Sequence, residues 1–337
     1  MRPRIALVLL FAGCGDDVTT ISDAGSGQDG AALDAGQDGA TFDAGAALPE
    51  LPATLSATGL YAEGVTGPIA GDVLSYSVRY PLWSDGSEKR RHLLLPAGGT
   101  IDTSDPDHWV FPEGTRLFKE FVVEGRPVET RLLWKTGPSR DEWQYVAYRF
   151  REDGSDADPV PAGEVDALGT DHDIPDTAAC RDCHRGGGDF VLGVGALQLE
   201  RSVFDDWVDR GVLPTDAPWE EPPGSDVERS ALGYLHGNCG HCHGDVHPLA
   251  TMRTMRLRLP VGVTDPWSAP AWTTTLDRTA SHTIDGMNAI VVAGDPDASQ
   301  LAIRMGRRDA YQMPPRGTEV VDPDGLAAIR AWILAAP

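Results

Sequence analysis

The chain has 337 residues, with 28 Lys and Arg against 51 Asp and Glu, for a formal net charge of -23. Such acidity repels phosphate backbones and excludes nucleic acid as a natural partner, while it suits a basic protein partner. Only five cysteines occur, at 14, 180, 183, 239 and 242.

Arg2 and Arg4 precede an unbroken apolar run, Ile5 to Ala12, which is too short to span a bilayer and reads as a cleaved export signal over residues 1–13. Small residues then lead to a cysteine at Phe11-Ala12-Gly13-Cys14, a tetrad similar to a bacterial lipobox, with Phe11 where Leu is usual. The likeness implies lipid on Cys14 and a protein held to the outer membrane or its periplasmic face by that anchor alone. Residues 14–48 carry Asp-Ala-Gly and Gln-Asp-Gly echoes, few bulky side chains and, beyond Cys14, no Lys or Arg. A segment of this kind buries too little apolar surface to offset its ordering entropy and is expected to be a solvated acidic tether. Seven of the acidic residues lie there, so the net charge alone defines no docking face.

About 290 residues remain, a length that suits two domains. From 49 to 163 the texture is that of strands. In Val73 to Tyr80, Leu74, Tyr76, Val78 and Tyr80 alternate with Ser75, Ser77 and Arg79; Val128 to Lys135 alternates in the same way, and Trp143 to Phe150 is rich in β-favouring residues. Pro and Gly punctuate the runs, as at Pro96-Ala97-Gly98-Gly99 and Pro112-Glu113-Gly114. The pattern predicts a β-sandwich or jelly-roll module whose core holds Trp83, Trp109, Trp134 and Trp143, with Ser84 to Arg91 as a solvated charged loop.

After about Val165 helical spacing takes over. Leu199, Val203, Phe204, Trp207 and Val208 mark a helix within Gln198–Arg210, ended by Gly211. A second, capped by Asp226, carries Val227, Ala231, Tyr234 and Leu235 on one face and leads into Cys239. A third starts at the Asp322 cap with Pro323 in its first turn and presents Leu326, Ile329, Trp332 and Ile333. The expected fold is therefore multidomain: the β module, then a mainly α-helical region in two parts, 164–226 and 227–337, each holding one cysteine pair.

The haem expectation comes from two Cys-x-x-Cys-His runs, Cys180-Arg181-Asp182-Cys183-His184 and Cys239-Gly240-His241-Cys242-His243. Each supplies two thiols for thioether bonds to a porphyrin and an imidazole for one axial position on iron. With Cys14 assigned to lipid, no cysteine is left for a disulfide. An adjacent His in both copies, together with an export signal, favours two covalently attached haem c groups over zinc or thiol chemistry. His184 and His243 are the expected proximal ligands, so the mainly α-helical region is expected to be a di-haem, cytochrome c-like one, with 164–226 as the first haem-attachment part and 227–337 as the part that holds the second haem. Opposite His243 a soft donor is needed: Met313, in Gln312-Met313-Pro314-Pro315, is preferred, with Met305 as its rival. Met252, Met255 and Met287 read as core filler. Opposite His184 the choice stays open among His172, His236, His241, His247 and His282.

Pro81-Leu82-Trp83-Ser84-Asp85-Gly86, Phe111-Pro112-Glu113-Gly114-Thr115, Glu129-Thr130-Arg131 and both haem motifs resemble a bacterial family of exported di-haem c-type cytochromes without an assigned physiological function. Asn238-Cys239, Gly294-Asp295-Pro296, Ser299, Arg304-Met305, Met313-Pro314-Pro315 and Trp332-Ile333 resemble a class I cytochrome c module. That resemblance implies crossed terminal helices and a Met313 thioether on iron. It supplies no substrate. The expected function is electron transfer with a redox partner, for which a basic protein is suited. Two alternatives are a peroxidase-like enzyme with an open first haem, and a binding or scaffold protein built on the β module.

Overall fold

Five antiparallel pairings build one six-stranded sheet in sequence order: β1 (Leu74–Tyr76), β2 (Glu88–Leu94), β3 (Arg116–Val123), β4 (Arg126–Lys135), β5 (Trp143–Phe150) and β6 (Ala157–Pro159). The β3–β4 connection is a two-residue turn, Glu124 at φ 52° and Gly125 at φ 80°. Positive φ at both positions matches the right-handed twist of the flanking strands, and Gly125 takes it without strain. The computed structural model describes residues 48–337. Cys14, the export signal and most of the acidic segment lie outside the described residues.

Register sorts the sheet into two faces. On one, Leu93, Leu117, Leu133 and Tyr145 stand in a cross-strand row. They pack with Phe190, Leu199, Phe204, Trp207 and Leu213 from later in the chain. On the other, Phe118, Leu132, Val146 and Tyr148 pack beneath Leu55, Leu60 and Val73 from the segment before the sheet. Each face is thus covered by irregular chain and short helices, with no second sheet.

Six α-helices occur among the described residues. Helix α1 (Thr177–His184) carries the first motif and is capped by Asp176, whose carboxylate accepts from the Ala179 amide at 2.7 Å. Helix α2 (Arg201–Asp209) buries Phe204 and Trp207. Helix α3 (Asp226–Asn238) starts with a capping box in which Ser225 and Glu228 satisfy each other's amides; Ser225, not Asp226, is the cap. Helix α4 (Pro270–Thr273) and a hairpin of β7 (Thr279–Ile284) and β8 (Met287–Ala289) follow, then α5 (Gln300–Met305) and α6 (Pro323–Leu334). As expected, Asp322 caps α6 and Pro323 fills its first turn.

Helices α3 and α6 pack together over a second core of Leu232, Leu235, Trp272, Leu301, Ile329, Trp332 and Ile333. They approach closely because Gly325 has no side chain: a Cβ there would overlap the Tyr234 ring.

The expected fold class is therefore corrected. The protein is mainly β, with one six-stranded antiparallel sheet and short helices, the longest of 13 residues. Among the described residues there is no sandwich or jelly roll, and the region after 163 is not mainly α-helical. Loops and short turns fill most of it, and residues Leu48–Pro337 form one contact unit. Helical periodicity is confined to three places in a region that otherwise holds long stretches lacking any periodicity. Ser84 to Arg91 is likewise not a loop throughout, because β2 begins at Glu88.

Candidate functional site

Helix α1 spaces Cys180 and Cys183 one turn apart, so both thiols lie on the same side. Cys180 rests half-buried against the core shared with the sheet, and Cys183 is exposed. His184 ends the helix. Its Nδ1 lies 2.8 Å from the Phe190 carbonyl, which can only accept, so Nδ1 carries the proton and Nε2 keeps its lone pair. Burial pushes this imidazole down to about 3, outweighing the opposing Phe190 hydrogen bond, with the Lys119, His241 and Arg131 charges adding to the fall. A neutral imidazole with an oriented Nε2 is the form that binds iron. The ring also packs on Tyr145 at 5.5 Å.

The Phe190 carbonyl is held in place from two sides. Phe190 takes φ 56°, a left-handed conformation that costs a non-glycine residue about 1–3 kcal/mol and persists only when its surroundings impose it. Its neighbour Asp189 receives the Lys135 ammonium at 2.8 and 2.7 Å and the Phe111 amide at 2.8 Å. Both side chains of this ion pair are fully buried, at 1% and 0% exposure.

The second motif is a turn at the end of α3. The Cys242 and His243 amides donate to the Cys239 carbonyl at 3.1 and 2.9 Å. Burial pushes His243 down to about 4, helped by the charges of Arg253, His241 and Arg304. Its Nδ1 is buried without a hydrogen-bond partner, so the second imidazole lacks the orienting bond that the first has. Burial raises all four thiols, Cys239 to about 12 and Cys242 to about 11. They are protonated at neutral pH, opposite to the lowered thiols of disulfide-exchange sites.

The two motifs meet. A side chain at Gly186 would overlap the His241 carbonyl, and His247 Nε2 lies 3.3 Å from the Asp182 carbonyl inside the first motif. Arg316, three residues past Met313, reaches Asp182 at 3.7 Å. Met313 is half-buried, its amide donating to the Arg304 carbonyl at 3.0 Å, and the Arg304 charge is among those acting on His243. Met305 lies in the helical core at 7% exposure. Met252, read as core filler, is 80% exposed, and Met287 is exposed too.

Of the other histidines, His172 is buried with Nε2 at 2.8 Å from Glu129 Oε1. His247 uses both ring nitrogens, Nε2 toward Asp182 and Nδ1 accepting from the Leu249 amide at 3.1 Å. His236 Nδ1 lies 3.1 Å from the Leu259 carbonyl, and His282 sits on exposed β7. His241, inside the second motif, makes no side-chain hydrogen bond among the described residues, and its backbone is what Gly186 of the first segment approaches.

The donor set fits a haem. Each motif offers two thiols for thioether bonds and a histidine directly after the second cysteine for one axial position, which suits a metal that arrives within its own four-nitrogen ring. Sequence reasoning missed the supporting groups: Lys135, Asp189, Tyr145 and the cations Lys119 and Arg131. Nothing local marks Lys135, Asp189 and Tyr145, since their partners lie far away along the chain, and Lys119 and Arg131 come side by side only through strand register. No protein-family model, curated protein or solved structure matches this chain.

Proposed function

We propose that this chain is an anchored di-haem c-type cytochrome that transfers electrons in the periplasm or at the outer cell surface. The observation that carries the reading is the contact between the two Cys-x-x-Cys-His segments within one unit, each with a half-buried imidazole whose pKa burial pushes down. One-electron exchange is the chemistry a haem supplies when bound. The chain's part is to attach the ring through Cys180, Cys183, Cys239 and Cys242. His184 and His243 bind from one side, and Met313 from a loop beside Arg304 completes the second site. The acidic surface suits a basic redox protein as donor or acceptor and disfavours nucleic acid. Lipid on Cys14 would be the membrane contact; among the described residues no helix is long and apolar enough to cross a bilayer.

Purification from a host equipped for cytochrome maturation tests this. The expected product is red, carries the mass of two porphyrins, and loses the low-spin methionine band on Met313→Ala. A colourless product without added mass overturns the reading.

A second reading, a peroxidase-like enzyme, draws on one feature. His172 and His247 are engaged elsewhere, which leaves the position opposite His184 to His236, His241 or His282, or to a small molecule. Peroxide turnover with a high-spin first haem supports that enzyme; two low-spin haems reject it.

A further inference from the structure

A narrow cavity of about 50 Å³ has His241 of the second motif in its lining, together with Gly188 and Asp189 from just beyond the first. That is room for a few water-sized atoms and far too little for a porphyrin. Four of the thirteen buried side-chain atoms that lack a hydrogen-bond partner among the described residues belong to its lining: His108 Nε2, Trp109 Nε1, Gln198 Oε1 and Arg258 Nε. Trp109 is 4% exposed and Gln198 5%, so neither has solvent as an alternative. Such a concentration calls for a common partner. Glycines bring the walls this close: a Cβ on Gly188 would overlap the His108 ring, and one on Gly237 would crowd the Gln198 amide at 3.0 Å.

The unmet groups define what that partner is. Trp109 Nε1–H and Arg258 Nε–H can only donate, and the Gln198 amide can turn either its oxygen or its NH2 inward. His108 Nδ1 lies 3.1 Å from Asp105 Oδ2 and donates to it, which leaves Nε2 to accept from a neutral ring or to donate from a protonated one. The guanidinium also lacks a counter-charge. Arg258 makes no ion pair among the described residues; its Nη2 donates to the Asp107 carbonyl, while the Asp107 carboxylate accepts from the Val261 amide at 3.0 Å. Asp189, the other acid in the lining, is taken up by Lys135 and the Phe111 amide. A cation held in this way beside a second obligate donor suits an acceptor that carries negative charge.

The geometry points to a binding site for a small monovalent oxyanion, of about the size of nitrate or formate, held by Arg258 Nε and Trp109 Nε1 and completed by Gln198 and His108. It places a negative charge beside His241, where the second motif comes close to the first. The site uses no thiol and neither proximal histidine, so it goes beyond the haem reading and does not depend on it.

The experiment is a calorimetric titration of the mature protein, as purified, with sodium nitrate. Nitrate ligates iron poorly, so its heat of binding is not that of an open haem. Wild type should bind one nitrate saturably. Arg258→Gln should weaken binding at least tenfold, the worth of a charge-assisted hydrogen bond, and Trp109→Phe, which keeps the ring and removes the N–H, about fivefold. Arg229→Gln removes a guanidinium outside the cavity that is 40% exposed, and should bind as wild type does. If Arg258→Gln does not accumulate, Trp109→Phe reads the same loss. No saturable binding by wild type, or equal affinity in wild type and the cavity variants, overturns the site and leaves the cavity to ordered water. An equal loss in Arg229→Gln would trace the binding to overall charge and overturn it as well.

Discussion

At the scale of single residues, the thiols and imidazoles were legible because five adjacent positions name the chemistry. The side chains that aim them were not. Lys135 and Asp189 lie 54 positions apart, and nothing in either neighbourhood marks a buried pair. Their contribution is nevertheless large. Asp189→Ala strands a buried ammonium and frees the turn that presents the Phe190 carbonyl to His184. It should lower stability by about 3–5 kcal/mol in urea unfolding, and Lys135→Met with Asp189→Leu should recover much of that loss. His92 gives a prediction in pH. It is 6% exposed, sits 2.9 Å from Ser75 Oγ, and is held down to about 4, chiefly by burial and then by the Arg90 charge. The unfolded chain takes up this proton near 6.5, the native one only near 4. The unfolded state therefore binds more protons between those values, and stability rises with pH there. His92 should contribute on the order of 2–3 kcal/mol above pH 6.5, lost progressively toward pH 4. The His92→Gln variant should show a flatter stability profile across that window, and an unchanged slope would refute the assignment.

At the scale of elements, the three longer helices could be read within a few residues because one face of each is buried and periodicity shows it, while β4 and β5, buried on both faces, were legible from their apolar, aromatic and β-branched residues. Strand β3 could not. Its Leu117, Phe118, Phe121 and Val122 are buried on both faces, so alternation disappears. Strand β2 was hidden by charge, since Glu88-Lys89-Arg90-Arg91 looks solvated until Arg90 is seen paired with Glu120 and Arg91 lined up with Lys119. The turn before β2 has a role that composition did not suggest. The Trp83 amide donates to Asn238 Oδ1 at 2.7 Å, just before Cys239, and the Trp83 indole donates to the Val320 carbonyl at 2.9 Å. Asp85, at φ 50°, accepts from the Thr318 hydroxyl at 2.7 Å and from the Glu319 and Val320 amides at 3.0 and 2.9 Å. One short turn thus fastens the start of the second motif to the end of the loop that carries Met313. Asp85→Ala removes the acceptor of three hydrogen bonds, and the loss should be about 2 kcal/mol, given the typical worth of bonds to a charged group. In the haem-loaded protein the methionine band should then vanish at a lower denaturant concentration than global unfolding. Coincident loss of both, as in wild type, would assign the turn to general stability.

At the scale of the whole molecule, strand-forming residues could be recognised, but not what covers them. A β-sandwich supplies its own second layer, and the expected module of residues 49–163 was of that kind. Here the segment around Leu55 and Leu60 covers one face, so that side is complete within the module. The other face presents Leu93, Leu117, Leu133, Trp143 and Tyr145 to Phe190, Phe204, Trp207 and Leu213, all beyond residue 163. Covering that face removes several large apolar side chains from water, each worth about 1.5–3 kcal/mol, against a net domain stability of only about 5–15 kcal/mol. The fragment 49–163 should therefore not fold alone: it should bind a hydrophobic dye and melt without a cooperative transition. Extension to residue 213 adds the missing residues together with the whole first haem motif, so this longer fragment should regain a sigmoidal melt. Cooperative unfolding of 49–163 by itself would show that the sheet is an autonomous domain, and would restore a binding or scaffold role for it apart from the haem sites.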